Sequence, residues 1–323
     1  MPDSVTVSVP ARLHLGFFDL DATLGRRFGS IGLGLDRPLT SVRVSRAVRD
    51  LVIGPEHERA AAFLANMRQL LGIGACHRLE ILEAIPPHSG LGSGTQLALA
   101  VAAGLRRLHG MPLDIRGDAE RLGRGGRSGI GVALFEHGGV VVDGGKAGDG
   151  PPPMIAHLPL PRDWRVLLLL DQRGQGVHGA DEIAAFENLP PFPRESAAHI
   201  CHLVLLRALP ALAEHDLDAF GAAITEIQIA VGDHFAAAQG GRFTSRNVAA
   251  SMALLRDWGV AGIGQSSWGP TGFAFMRSEA EAQRLAARLA ATEPGRALEL
   301  VVARASTSGA LIEETVLSER RTG

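Results

Sequence analysis

Residues 86–98 read Pro-Pro-His-Ser-Gly-Leu-Gly-Ser-Gly-Thr-Gln-Leu-Ala. They lie between a β-like run, Arg78 to Ile85, and an Ala/Leu-rich helical run reaching about His109. The first N–H groups of a helix have no intrahelical partner, and the helix dipole makes that end partly positive. Glycines let backbone close around an anion without side-chain collision. Gly90, Gly92 and Gly94 alternate with Ser89, Leu91, Ser93 and Thr95, so the stretch predicts a phosphate loop and not merely a capped turn. It is not a Walker A loop, because it carries no lysine. Its third glycine is also misplaced for a Gly-x-Gly-x-x-Gly fingerprint.

The chain has 323 residues, 46% of them hydrophobic, which predicts a folded globule with a substantial core. A net charge of −2 gives no electrostatic footprint for nucleic acid. Lys146 is the single lysine among 32 basic residues, so a lysine-dependent mechanism would have to use a residue that reads as a solvated loop lysine. Cys76 and Cys201 have neither metal-ligand spacing nor a disulfide framework, and read as buried thiols. No charged-then-apolar leader opens the sequence, and no apolar run reaches membrane-spanning length. The expectation is a cytoplasmic protein with no membrane contact.

Val5 to Val9 alternates and meets Pro10, predicting an edge or barrel strand that stops there. Further strands are expected at Ser41–Val48 and His77–Ile85, with helices at Arg59–Leu71, Gln96–His109 and from Asp118. Gly131–Phe135 and Gly139–Asp143 read as a hairpin around Glu136-His-Gly, and Lys146–Pro153 as the linker between two domains. Beyond it come a buried strand at Val166–Asp171 and helices at Glu195–Leu209, Asp216–Ala238 and Thr244–Trp258. Short strands at Val260–Ile263 and Gly272–Met276, a helix at Ser278–Ala290 and a strand at Ala297–Ala303 complete the chain. This order predicts an α+β fold, with domains at 1–153 and 154–323.

Four more segments could carry chemistry. In Pro10-Ala-Arg-Leu-His-Leu-Gly-Phe-Phe-Asp19, strand alternation puts Arg12 and His14 on one face, suited to an anion or to a plain strand edge. Asp19 follows two phenylalanines and suits a metal ligand, a general base or an arginine partner. Gly123-Arg-Gly-Gly-Arg-Ser-Gly-Ile-Gly131 is either a second anion contact or a surface loop. Gly262-Ile-Gly-Gln-Ser-Ser-Trp-Gly-Pro-Thr-Gly272, with Gln265, Ser266 and Ser267, is small enough to bring backbone against a ligand or another loop. The polar run Asp171–Glu182 is a weaker possibility, and His199 and His202 lack a third metal ligand.

The 86–98 loop resembles the Pro-x-x-x-Gly-Leu-Gly-Ser-Ser-Ala motif of the GHMP superfamily, with Pro10–Gly16 and Gly262–Gly272 resembling its first and third motifs. The resemblance implies a ribosomal-S5-like N-terminal domain and a ferredoxin-like C-terminal domain with the site between them. Kinases of the superfamily often have a lysine in the first motif, a second loop serine and an acidic base after a downstream Ser-Gly. This chain has Arg12, Gly94 and the run Ser128-Gly-Ile-Gly131 instead. Arg12-Leu-His-Leu, Asp19, the stretch from Gly25 to Leu33 and the loop together resemble the β-ribofuranosylaminobenzene 5′-phosphate synthase subgroup.

That resemblance implies condensation of phosphoribosyl pyrophosphate with 4-aminobenzoate or 4-hydroxybenzoate, with loss of pyrophosphate and carbon dioxide. It implies Mg²⁺, no organic cofactor and a homodimer. Asp19, Arg26 and His14 are then the expected catalytic set. Arg12, Arg27, Ser89, Gly90, Leu91, Gly92, Ser93, Gly94, Thr95, Gln96, Gln265, Ser266 and Ser267 are the expected substrate and phosphate contacts. An ATP-dependent small-molecule kinase and a catalytically inactive ligand sensor are the alternatives.

Overall fold

The computed structural model describes residues 1–148, 150–173 and 189–316. The expected polar loop at 171–182 therefore lies, from residue 174 on, outside the described residues.

Two long strands organise the first sheet. β1 (Ser4–Asp19) and β2 (Phe28–Ala47) pair antiparallel along almost their whole length. β1 does not stop at Pro10, and it is not an edge. Residues 4–8 lie between β2 and β11 (Leu311–Thr315), and the register shifts between Pro10 and Ala11. The shift has a structural consequence. Val5, Val7 and Val9 enter one core, whereas Ala11, Leu13 and Leu15, of the same parity, enter another. At this shift the partner on β2 steps from Leu39 to Leu35, and the two faces of β1 exchange, so a single strand serves two cores.

The remaining strands of this sheet are β3 (Leu51–Ile53), β4 (Cys76–Glu83), β5 (Val140–Asp143) and β6 (Met154–Leu158). On one face lie α1 (His57–Leu71) and α2 (Ser93–Leu108). α2 is buried on nearly every side from Gln96 to Arg106, and Gly104 lets it approach Val44 and Val7. Its far end is fixed by Arg106, which donates to both carboxylate oxygens of the buried Asp118 at 2.6 and 2.7 Å, on α3 (Ile115–Arg121).

The expected hairpin after residue 130 is instead a helix, α4 (Ile130–Glu136), followed by β5, which pairs with β2 and β6. Apolar residues cover α4 all round, a pattern that short-range alternation cannot tell from a buried strand. The Gly/Pro stretch at 146–153 is not a linker. Lys146 bridges the backbone of Arg27, and Arg116 donates to the carbonyls of Pro151 and Pro152. β6 continues the first sheet beyond that stretch, and β11 returns to it from the far end of the chain. The two sheets thus do not divide the chain at 153/154.

The second sheet has the order β10-β7-β9-β8, from β7 (Arg165–Leu170), β8 (Ile263–Gln265), β9 (Thr271–Met276) and β10 (Glu299–Ala303). α8 (Arg246–Asp257) and α9 (Glu279–Ala290) share a core with one face of it. α5 (Arg194–Leu203), α6 (Leu209–Ala213) and α7 (Leu217–Gln239) share the main core with its other face and with β1 and β2. α5 runs through a π-helical turn at 204–208 into α6. Residues 194–213 form a helical segment long and apolar enough to cross a membrane by length and composition, where the sequence reading expected no apolar run of that length. Ile200, Leu203, Val204 and Leu212 are buried in the main core. Cys201 is exposed and Cys76 half-buried, so neither is the buried thiol expected.

Candidate active site

Three segments far apart in sequence meet at the start of α2. Gly92 caps the helix with a left-handed backbone and no side-chain cap bond. Arg12 donates its backbone N–H to Leu91 O at 3.0 Å and Nη1 to Gly90 O at 3.0 Å. Ser266 Oγ donates to the same Gly90 carbonyl at 2.7 Å and accepts the His14 N–H at 3.0 Å. The loop is thereby fixed to β1 on one side and to the β8–β9 connection on the other. Gly90 has φ +81°, and a Cβ there would collide with Ser266 O and lie 2.9 Å from Gly269 Cα. No other residue fits that close approach without strain.

Of the two arginines above the loop, sequence reasoning missed Arg59, whereas Arg124 lies in the run it gave as a possible second anion contact. A Cβ on Gly94 would stand 2.7 Å from Arg59 Nη2 and 3.4 Å from Arg124 Nη1. Two guanidinium groups therefore share the space over the first turn of α2. Arg59 Nη1 pairs with Glu56 at 2.6 Å. Arg124 lies over the Phe63 ring at 5.0 Å, and its buried Nε has no hydrogen-bond partner. Burial, then repulsion from Arg59, lowers the basicity of Arg124. Two cations beside the positive end of a helix repel one another until an anion sits between them. Arg59 carried no sequence signal, being an ordinary polar residue on an amphipathic helix.

The other expected residues divide between two places. Thr95 and Gln96 tie α2 to α4: Gln96 Nε2 donates to Gly131 O at 3.0 Å, and Thr95 Cγ2 lies 3.1 Å from where a Gly131 side chain would begin. Ser93 opens α2, and Ser89 Oγ turns inward to Pro86 O at 2.7 Å. Gln265 accepts from the Thr244 N–H and hydroxyl at 2.7 Å each, and donates to Ser267 O at 3.1 Å, holding the β8–β9 loop. Ser267 itself has a left-handed backbone, φ 55°.

Asp19, Arg26 and Arg27 belong to a different set of contacts, at the β1–β2 turn. The Asp19 carboxylate accepts from Asp21 N, Thr23 N and Thr23 Oγ1 at 2.9, 2.8 and 2.6 Å, closing its own turn. Arg26 donates to the Gly144 and Gly145 carbonyls at 2.6 and 2.7 Å, and Arg27 to Leu20 O at 2.6 Å. Nearby, Asp143 is a buried carboxylate without sequence warning. It accepts from Ser30 Oγ at 2.5 Å, from Gly129 N and Gly145 N at 2.9 Å each, and from Ser128 Oγ at 3.3 Å. Burial outweighs these bonds and raises its pKa.

Among the described residues, no group of three His, Cys, Asp or Glu side chains could hold a metal ion. The oxygens of Asp19 and Asp143 are already engaged by the protein. Among the described residues, Asp19 and Asp143 therefore do not form a carboxylate cage for Mg²⁺.

A strand-loop-helix anion cradle clamped by a second sheet's Gly/Ser loop is the architecture of the GHMP kinases. The chain matches the family models described as GHMP kinases N terminal domain over residues 57–139 and GHMP kinases C terminal over residues 208–295. Homoserine kinase from Cytophaga hutchinsonii has the same fold, with a TM-score of 0.70 at 17% identity over 97% of this chain and 98% of that one. So does mevalonate diphosphate decarboxylase from Staphylococcus aureus, with a TM-score of 0.69 at 18% identity over 97% and 99%.

Within this superfamily, the chain belongs to the family of the β-ribofuranosylphenol 5′-phosphate synthases. It is 36% identical to the synthase of Archaeoglobus fulgidus, over 94% of this chain and 98% of that protein. It is 34% identical to the synthase of Methanothermobacter thermautotrophicus, over 69% and 74%.

Proposed function

We propose that the chain condenses phosphoribosyl pyrophosphate with a para-substituted benzoate, 4-hydroxybenzoate or 4-aminobenzoate, in methanopterin biosynthesis. The aromatic carbon bearing the carboxylate forms a bond to the anomeric carbon. Pyrophosphate leaves from that anomeric carbon, and carbon dioxide leaves the ring with its bonding pair returned to the aromatic system. The observation that carries this reading is the convergence of Arg59 and Arg124 on the helix end at Gly94. A leaving pyrophosphate gains charge as its bond to carbon breaks, and fixed donors at that point stabilise it. Mg²⁺ enters this reading as the counter-ion that the pyrophosphate carries in.

A kinase reading is disfavoured at Gly131. Where the resemblance would place a kinase's acidic base, this chain has a glycine, whose Cβ would stand 3.1 Å from the Thr95 methyl. Loss of carbon dioxide restores aromaticity, so the proposed reaction needs no strong base there.

The test is incubation with phosphoribosyl pyrophosphate, Mg²⁺ and each benzoate, with and without ATP. Release of pyrophosphate and carbon dioxide independent of ATP supports the synthase. A phosphorylated product dependent on ATP makes the chain a kinase, and binding without turnover makes it a sensor.

The proposal extends to a cytoplasmic homodimer. Leu205 and Leu206, 65% and 64% exposed, offer an apolar surface for a second copy. Free cysteines suit a reducing compartment. Light scattering on the purified chain checks the assembly.

A further inference from the structure

β8 ends the second sheet, so its outward N–H groups face no neighbouring strand. α7 supplies acceptors for them from two residues on one helical face. Thr225 Oγ1 accepts the Gly262 and Ile263 N–H groups at 2.9 and 3.2 Å. Gln228 Oε1 accepts the Gln265 N–H at 2.8 Å.

Thr225 ties helix to strand, whereas Gln228 reaches further. Its Nε2 donates to Leu15 O on β1 at 2.8 Å. Leu15 lies where the register of β1 against β2 shifts, between His14 and Gly16. Such an irregularity leaves backbone groups outside the ladder, and the side chain meets one of them. A primary amide carries a donor and an acceptor on one carbon, so it can bridge a carbonyl to an N–H. Gly264 makes room for it, since a Cβ there would stand 2.4 Å from Gln228 Cγ and Cδ. Gly16 does the same for the preceding residue, its Cβ position lying 2.4 Å from Ile227 Cγ2.

This bridge runs beside the clamp on the anion loop. Leu15 and Gln265 are the chain neighbours of His14 and Ser266. Ser266 Oγ accepts the His14 N–H at 3.0 Å and donates to Gly90 O at 2.7 Å. Two successive residues of β1 therefore meet two successive residues at the end of β8, one pair through a hydroxyl and the other through Gln228. A peptide group is planar and trans, so pinning the Gly90 carbonyl also fixes the direction of the Leu91 N–H.

We infer that Gln228 is a positioning residue of the anion loop: by holding Gln265 to Leu15, it sets the reach of Ser266 to Gly90 O and so the shape the loop offers its anion. For the identity of that anion, phosphoribosyl pyrophosphate, the role rests on the synthase reading.

The experiment compares Gln228→Ala, Gly264→Ala, the double variant and Thr225→Val with the wild type. It measures KM for phosphoribosyl pyrophosphate and for 4-hydroxybenzoate, together with the melting temperature. Gly264→Ala displaces the amide without removing it. It and Gln228→Ala should each raise the phosphoribosyl pyrophosphate KM about five-fold or more and leave the aromatic KM within about two-fold. The double variant should be no worse than Gln228→Ala, because the new Cβ at 264 then meets no amide. Thr225→Val breaks a tie that does not reach β1, and should lower the melting temperature with both KM values within about two-fold. A phosphoribosyl pyrophosphate KM that is unchanged in Gln228→Ala, or raised as much by Thr225→Val, overturns the positioning role and leaves the synthase reading intact. Calorimetric binding of inorganic pyrophosphate that weakens about five-fold in Gln228→Ala, with no product from any substrate mixture, sustains the role and removes the synthase reading. Should the variants not fold, the wild type decides. Pyrophosphate should slow amide hydrogen exchange at His14 and Gln265 together, and an unchanged rate at Gln265 overturns the role.

Discussion

Arg59 and Arg124 reach the same point from different segments of the chain, one from α1 and one from the glycine-rich run before α4, over the bare Cα of Gly94. Neither is adjacent to the phosphate loop in sequence. Their convergence adds side-chain charge to the backbone N–H groups at the start of α2.

Replacing Arg124 with alanine should therefore weaken phosphoribosyl pyrophosphate far more than it weakens the fold. A hydrogen bond to a charged partner contributes about 1.5–3 kcal/mol, so KM for that substrate should rise on the order of ten- to a hundred-fold. Arg59→Ala should act in the same direction. The double variant should fall short of the product of the two, because each single change also relieves repulsion on the other. Steady-state kinetics of the three proteins checks this.

At Gly94, serine should be tolerated by the fold and resisted by the site. The backbone there is helical, and the close contact is the mobile end of Arg59, 2.7 Å from the new Cβ. Melting temperature should stay within a few degrees while the substrate KM rises several-fold. Gly90→Ala should behave oppositely. Its φ of +81° and the backbone of the 266–269 loop leave no room, so a loss of about 1–3 kcal/mol in stability is expected, read from denaturant unfolding.

Asp143→Ala should destabilise the chain by about 2–4 kcal/mol, since Ser30 Oγ and the Gly129 and Gly145 N–H groups lose a buried acceptor together. Chemical denaturation would show it. Asp19→Ala removes an acceptor only from its own turn, and its effect on stability should be smaller.

His77 and His109 meet Nε2 to Nε2 at 2.8 Å. Burial, aided by the charge of His109, lowers the His77 pKa from 6.5 to about 4. Between those values the unfolded chain takes up a proton that the folded chain refuses. The corresponding stability is intact above pH 6.5 and is lost as pH falls toward 4. Thermal melts should drop across this interval, and His77→Asn should flatten the drop.

Much of the site was legible in the 86–98 loop, because helix-end physics is local. A glycine-rich turn before an apolar helix describes itself, and the two further Gly/Ser segments could be matched by composition and order. Helices such as α1, α8 and α9 were legible through periodicity. α4 was not, because an apolar segment of seven residues has no polar face to reveal its period. Nor was the run of β1 past Pro10, because strand continuity there depends on a register shift against β2.

The sequence by itself determined the loop, the apolar helix behind it, and the missing lysine, serine and acid that set this chain apart from a phosphoryl-transfer enzyme. Tertiary structure alone decided what surrounds that loop. Arg59 and Arg124 came to Gly94, while Asp19, Arg26 and Arg27 went to a separate turn. The physical reason is that a backbone cradle forms from neighbours in sequence. A cluster of side-chain charges forms from whatever the packing of α1 against α2, and of the first sheet against the second, brings within a few ångströms.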